Sequence, residues 1–265
     1  QGRGCGRHPV GPGRMGGAGA IIETFAALLF AHVLADFVFQ TGRIARAKQA
    51  RHAGALALHI AIVLALAIAA PGAWHPVLAA LAAAHLVIDL AKTFAPQDRL
   101  WPFLADQAAH LATLAAAAAF APDLWQTGVW MTGAWAPPYW VPGVMAAVAG
   151  LVAATRAGGY AVGLLIGPLA TDDLPKGLAN GGALIGVLER GLIFLFIFAG
   201  QPMGIGFLVA AKSVLRFEAT AGDQRASEYV IIGTLASFGW AMAVAWAALA
   251  LVAALPGIGI FAATP

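Results

Sequence analysis

A single cysteine, Cys5, stands among the 265 residues, and only 10% of them are charged. One cysteine excludes an intrachain disulfide and any cysteine-built metal site. The shortage of charge excludes more. A soluble domain is about 25% charged and about 45–50% apolar, whereas here 61% is hydrophobic. Twelve acidic and fifteen basic side chains cannot clothe a water-soluble globule of this length. The composition therefore predicts an all-α, polytopic transmembrane helix bundle. Basic excess is also missing where it would matter. Arg3, Arg7 and Arg14 lie in the Gly/Pro-rich opening, and without them acids and bases balance at twelve each. The pI thus reflects a tail, and no nucleic-acid partner is expected. Residues 1–14, ahead of Met15, read as an upstream extension, within a disordered or extension tail over 1–20. No small-residue cleavage site follows the first apolar run, so it reads as a retained membrane helix.

What is abundant is apolar sequence in runs near the ~20 residues that cross a bilayer. Breaks at Pro, Gly and charge give eight expected spans: Ile21–Gln40, Gly54–Ala70, Pro76–Phe94, Pro102–Ala121, Pro142–Ala170, Asn180–Ala199, Gly204–Phe217 and Tyr229–Leu255. They divide into a four-helix bundle over 21–121, an aromatic interfacial linker over 122–141, and a second bundle over 142–265. The fifth span is interrupted near Arg156 and Gly158-Gly159, and the seventh is short. The linker holds Trp125, Trp130, Trp135, Tyr139 and Trp140, a density that suits a membrane interface. Short loops with Lys and Arg (Arg43, Arg46, Lys48, Arg51, Lys92, Arg99, Lys176, Arg225) alternate with loops around 71–75, 122–141 and 200–203 that have none. By the positive-inside rule the basic loops are cytoplasmic. Glycines four apart, Gly159, Gly163 and Gly167, and again Gly182 and Gly186, read as close helix contacts. No internal repeat is visible.

Ionisable side chains inside spans are costly and are functional candidates by default. Span one carries His32 and Asp36, with Gln40 one turn on. Span two carries His59, span three His85 and Asp89, span four Asp106 and His110. Three of these are i,i+4 pairs, each on one helix face. The order is His then Asp on spans one and three, and Asp then His on the oppositely directed span four. Direction and order cancel, so the seven groups fall in two adjacent layers. Imidazole and carboxylate are the ligands of catalytic divalent metals with a water position open. The expectation is a metal site of His32, Asp36, His59, His85, Asp89, Asp106 and His110. Asp36, Asp89 and Asp106 are the catalytic candidates, as ligands, orienters or base. The cofactor is a divalent metal, Zn²⁺ first, with Mn²⁺ or Fe²⁺ as alternatives. A proton or cation path and interhelical hydrogen bonding are the other readings of the same residues. No HExxH or similarly tight motif is present. The tail His8 and the loop residues His52 and His75 read as solvated or interfacial. In the second half, Glu189 and Arg190 sit mid-span, and Lys212 and Arg216 lie toward the cytoplasmic end of the next span. They predict a Glu189–Lys212 ion pair or a basic pocket for an anionic headgroup.

The stretches HVLADFVFQ from His32, HLVID from His85 and DQAAH from Asp106 resemble bacterial integral membrane proteins of domain-of-unknown-function family 3307. So do NGGALIGVLER from Asn180, IGFLVAAKSVLRF from Ile205 and EYVIIGTLASF from Glu228. The likeness runs over most of 21–250 and implies a multi-pass protein of the bacterial inner membrane; it implies no activity. A looser likeness links the His and Asp one turn apart to membrane-bound metal-dependent hydrolases. Together these lead to an expected metal-dependent hydrolysis of a lipid or lipid-linked ester or phosphoester. Transport of protons or divalent cations, and a non-catalytic subunit of a membrane assembly, are the alternatives. The expected partners are the lipid bilayer, a lipid headgroup or lipid-linked substrate, and other membrane subunits.

Overall fold

The computed structural model describes residues 17–133, 139–169, 181–220 and 224–256, with 215–220 in backbone only. The tail, Trp135, Lys176 and Asn180, and the side chain of Arg216, lie outside the described residues. Eleven α-helices and no strand occur among them. These are α1 Gly17–Leu34, α2 Gly42–Gln49, α3 Ala53–Ala69, α4 Pro76–Lys92, α5 Leu100–Phe120, α6 Val129–Thr132, α7 Val141–Val152, α8 Gly158–Ile166, α9 Gly181–Phe198, α10 Met203–Thr220 and α11 Gln224–Ala253. Proline sets several starts, at the first or second position of α4 and α7, where its missing N–H has no helical partner to lose. Five helical segments are long and apolar enough to cross a membrane: Gly17–Phe39, Leu100–Phe120, Val141–Leu169, Gly181–Phe198 and Gln224–Ala253. The remaining expected spans coincide with α3, α4 and α10, which are shorter or less apolar.

The packing is inverted relative to a soluble protein. Small residues fill the centre, among them Ala26, Ala27, Ala154, Ala241 and Ala245, all fully buried. Large apolar side chains such as Phe94, Phe120, Leu188, Phe207 and Leu235 point outward. A continuous outer apolar face is what a bilayer solvates. Helix α1 is the hub. Ala26 packs with the α7, α9 and α11 core, Ala27 with Trp125, and Leu28 with Leu78, Leu81 and Leu114. Three consecutive residues thus face three clusters, which only a helix enclosed on all sides allows. The expected boundary between a first and a second bundle is therefore spanned by α1.

Two helices change pitch inside the bundle. Ala35–Phe39 continues α1 as a π-turn, and Ala153–Ala157 joins α7 to α8 as another. The second is the interruption expected near Arg156, resolved as one continuous helix with an extra residue. Such turns shift the side chains beyond them around the helix axis and are frequent at functional sites. Asp36 and Arg156 sit on them.

The aromatic linker divides. Tyr139 and Trp140 are exposed, as an interfacial belt requires. Trp125 is instead 2% exposed and packs beside Ala27, Ala31 and Ala70; its backbone N–H donates to Thr24 Oγ1 at 3.2 Å. The small side chains of α1 and α3 leave a hole that an indole fills. Trp130 covers the Pro71-Gly72 turn, where Gly72 has φ of 68°, and its Nε1–H donates to the Ala69 carbonyl at 2.9 Å. His75 is exposed, as a solvated or interfacial residue would be, and has a local task as well. It caps α4, its Nδ1 accepting from the Val77 N–H at 3.1 Å.

Candidate metal centre

Helices α1, α3, α4 and α5 pack around one another and bring all seven expected His and Asp side chains together. His59 is fully buried, and His32, His85, Asp89, Asp106 and His110 are each at most 6% exposed. At the middle, His59 Nε2 and His85 Nε2 stand 3.1 Å apart. Asp36 Oδ1 is 3.3 Å from the first and 3.4 Å from the second. Asp89 Oδ2 is 3.5 Å and 3.6 Å from the same two nitrogens. Asp36 Oδ1, Asp89 Oδ2 and the other nitrogen of His59, Nδ1, are buried without a well-aligned hydrogen bond among the described residues. Two carboxylate oxygens thus lie within 3.6 Å of the same pair of imidazole nitrogens, from three helices.

The remaining members surround that set. His110 stacks on His32, with ring centroids 4.9 Å apart, and its ring lies tilted against His85 at 4.1 Å. Its Nδ1–H donates to the Asp106 carbonyl at 2.9 Å. A carbonyl can only accept, so this bond fixes the tautomer and leaves the buried Nε2 lone pair free. Nε2 has no hydrogen-bond partner among the described residues, and neither ring nitrogen of His32 closes one, although Gln107 stands beside that ring. Ligand atoms lie within 4.8 Å of one another in three sets: His32, Asp36 and His110; Asp36, His59 and His85; His85, Asp89 and His110. Asp106 joins none of them. Its Oδ2 accepts from Lys92 Nζ at 2.6 Å and from the Gln107 amide at 3.0 Å.

Two residues of this centre escape a reading of motifs. Lys48, which sequence counts as a loop charge, is on α2 and 7% exposed. Its Nζ lies 2.6 Å from Asp89 Oδ2 and donates to Gln40 Oε1 at 2.6 Å. Lys92 holds Asp106. A signal existed for Lys92: it follows Asp89 by three residues and so shares its face. For Lys48 the signal is the helical period of Gly42–Gln49, capped by the Thr41 hydroxyl, which accepts from the Ile44 N–H at 3.4 Å.

On the second half, Glu189 Oε2 accepts from Lys212 Nζ at 2.7 Å, the pairing the sequence suggested. Arg190 is 4% exposed. Its Nε–H donates to the Thr155 carbonyl at 3.1 Å, and Nη1 donates to Ser237 Oγ at 3.0 Å. The glycines do not serve close helix contact uniformly. A Cβ at Gly163, Gly167 or Gly182 would meet nothing within 4 Å, whereas at Gly159 or Gly186 it would press on the Arg190 guanidinium. A cavity of about 1170 Å³ joins both halves, reaching Asp36, Asp89, Lys48 and Lys92 on one side and Glu189, Arg190 and Lys212 on the other.

Residues 24–132 match the family model described as a protein of unknown function, DUF3307. No curated protein and no solved structure gives a match. The matched stretch ends before the second-half motifs from Asn180 to Phe238 that carried the rest of the resemblance. It contains the whole His/Asp centre with Lys48 and Lys92, and the likeness to DUF3307 is a likeness of that stretch.

Proposed function

We propose that the centre binds a divalent metal, Zn²⁺ in the first place, between His59, His85, Asp36 and Asp89, and hydrolyses an ester or phosphoester of a lipid-linked substrate. One observation carries this. The five separations given above for the four ligand atoms run from 3.1 to 3.6 Å. A tetrahedron with metal–ligand bonds of about 2.0–2.1 Å has edges of about 3.3–3.4 Å. Two imidazoles and two carboxylates at that spacing suit the ligand preference of Zn²⁺, with Asp89 Oδ2 also 2.6 Å from Lys48 Nζ.

The bound metal supplies an acidified water. Water adds to the carbonyl carbon or phosphorus, the ester bond to the leaving oxygen breaks, and the water's proton passes to that oxygen. His110, with Nε2 held free beside His85, is the group placed to carry the proton. Asp106, fixed by Lys92 and Gln107, orients His110 through its backbone carbonyl rather than as a ligand. Transport is the weaker reading. Next to the histidine layer the four helices meet in a dry core of Leu28, Ala67, Leu78, Leu81 and Leu114, which gives a path no polar continuation. Lys and Arg on and around α2 support, by the positive-inside rule, a cavity mouth at the cytoplasmic leaflet of the inner membrane. Labelling a cysteine at position 46 from the cytoplasmic side only would agree; labelling from the outer side only would reverse the orientation.

Purified without chelators, the chain should retain close to one metal ion, measured by elemental analysis. His59→Ala and His85→Ala should lose it while folded yield stays usable. Release of product from a lipid phosphoester should stop with chelator and return with Zn²⁺. Protein that retains no metal after challenge with Zn²⁺ and Mn²⁺ contradicts the reading.

A further inference from the structure

The cavity shared by the two halves is lined by six basic side chains, Arg46, Lys48, Lys92, Arg156, Arg190 and Lys212, and three acidic ones, Asp36, Asp89 and Glu189. Among the described residues, adding Asp106 behind Lys92 still leaves a positive surplus. Inside an apolar bundle an uncompensated cation is costly and calls for a partner. The surplus is concentrated on the second half. Glu189, the chain neighbour of Arg190, turns to Lys212 instead, and the two acceptors that hold Arg190 are neutral, a backbone carbonyl and a serine hydroxyl.

The wall around Arg190 is shaped for its guanidinium. A Cβ on Gly159 would stand 3.0 Å from Nη2, and one on Gly186 would stand 2.9 Å from Nη1. Glycine at both positions leaves room for the charged fork at the cavity edge. Arg156, on the π-turn beside Thr155, is exposed to the same cavity, and its Nη1 donates to the Phe37 carbonyl at 3.3 Å. Phe37 follows Asp36, so Arg156 reaches the turn that carries a candidate metal ligand. The guanidinium fork matches the paired oxygens of a phosphate better than a lysine does. Away from these charges the lining turns apolar through Val162, Ile166, Ile185 and Val230, which suits an alkyl chain.

We infer that Arg156 and Arg190 form an anion subsite for the phosphate group of a membrane amphiphile, whose chain lies along α8, α9 and α11. This names the anionic part of a ligand for the same cavity, but it stands without the metal, because its residues lie on helices outside the matched stretch. The test is native mass spectrometry of the full chain in an uncharged maltoside with chelator present. Dioleoyl phosphatidic acid is compared with dioleoylglycerol, which differs by the phosphate alone. Wild type should hold phosphatidic acid at least tenfold better than diacylglycerol, and Arg156→Gln should lose at least tenfold of that binding. Arg190→Gln should lose more; should it not fold, Arg156→Gln decides, because Arg156 is exposed and its loss leaves the packing intact. Displacement by millimolar inorganic phosphate supports a site for the free phosphoryl group as well, and resistance to displacement supports a site for the lipid. Equal retention of the two lipids, or full binding by Arg156→Gln, overturns the inference. Because chelator is present throughout, failure of the metal reading leaves these results unchanged.

Discussion

The two walls of the shared cavity are built from opposite shortages. On α1, α3, α4 and α5, three carboxylates and four imidazoles meet two lysines, and Lys48 and Lys92 take up Asp89 and Asp106. Among the described residues, the ion-pair partners of Asp36 are histidines, His59 and His85. On the other wall one carboxylate, Glu189, serves Lys212, and Arg190 is left to neutral acceptors. Among the described residues, the first wall is short of a cation and the second of an anion. Buried ionisable groups carry a desolvation cost that partners must offset, so each imbalance indicates the charge of a missing ligand. Identical residue types in the two halves thus act differently according to what surrounds them.

That contrast can be broken most severely at Glu189. Glu189→Gln strands Lys212 beside Arg190, and removing one member of a buried pair costs roughly 3–5 kcal/mol. The melting temperature in detergent should fall sharply. Lys212→Met added to it should recover much of the loss, and Zn²⁺ should recover none. If the double variant melts no higher than the single, the residues are not energetic partners. The converse case is Lys48→Met, which deprives Asp89 of its closest cation. The expected loss is smaller, about 1–3 kcal/mol for an unsatisfied buried group. Here Zn²⁺ should raise the melting temperature by more than it does in wild type, through preferential binding to the folded state. Equal shifts in the two proteins would show that Asp89 is not a ligand. The smallest effect separates two glycines. Gly159→Ala crowds the Arg190 guanidinium and should cost about 1 kcal/mol. Gly163→Ala meets open space and should stabilise by roughly 0.5–1 kcal/mol. Equal responses would mean that the slot around Arg190 is not filled by its guanidinium.

Much of this architecture is legible in the sequence, for identifiable reasons. Proline and glycine punctuate apolar runs, so Pro76 opens α4 and Pro71-Gly72 closes the turn before it, at the positions the sequence sets. The i,i+4 pairs fix a common face on each helix, and antiparallel order fixes a common depth; no long-range information is needed to collect His32, Asp36, His85, Asp89 and His110. What escapes is what depends on packing between helices. Lys48 and Lys92 look like topology signals until α2 turns Lys48 inward. Asp106 shares the spacing of the other aspartates, yet Lys92 draws it away from the metal-type sets. Trp125 looks interfacial because nothing local reveals the hole left by Ala27, Ala31 and Ala70. The four-residue spacing of glycines is common to close helix contacts and to a slot for a guanidinium, and only the position of Arg190 distinguishes them. The π-turn at Asp36 has no composition signal in ADFVF, whereas the one near Arg156 is hinted at by Gly158-Gly159.

The most direct test of the account is X-ray absorption at the zinc edge of the purified, Zn²⁺-loaded chain. Four nitrogen or oxygen neighbours at about 2.0–2.1 Å are expected, with the outer-shell signature of two imidazoles, and neither His59→Ala nor His85→Ala should retain this shell. An oxygen-only shell, or a spectrum that His59→Ala and His85→Ala leave unchanged, would contradict it.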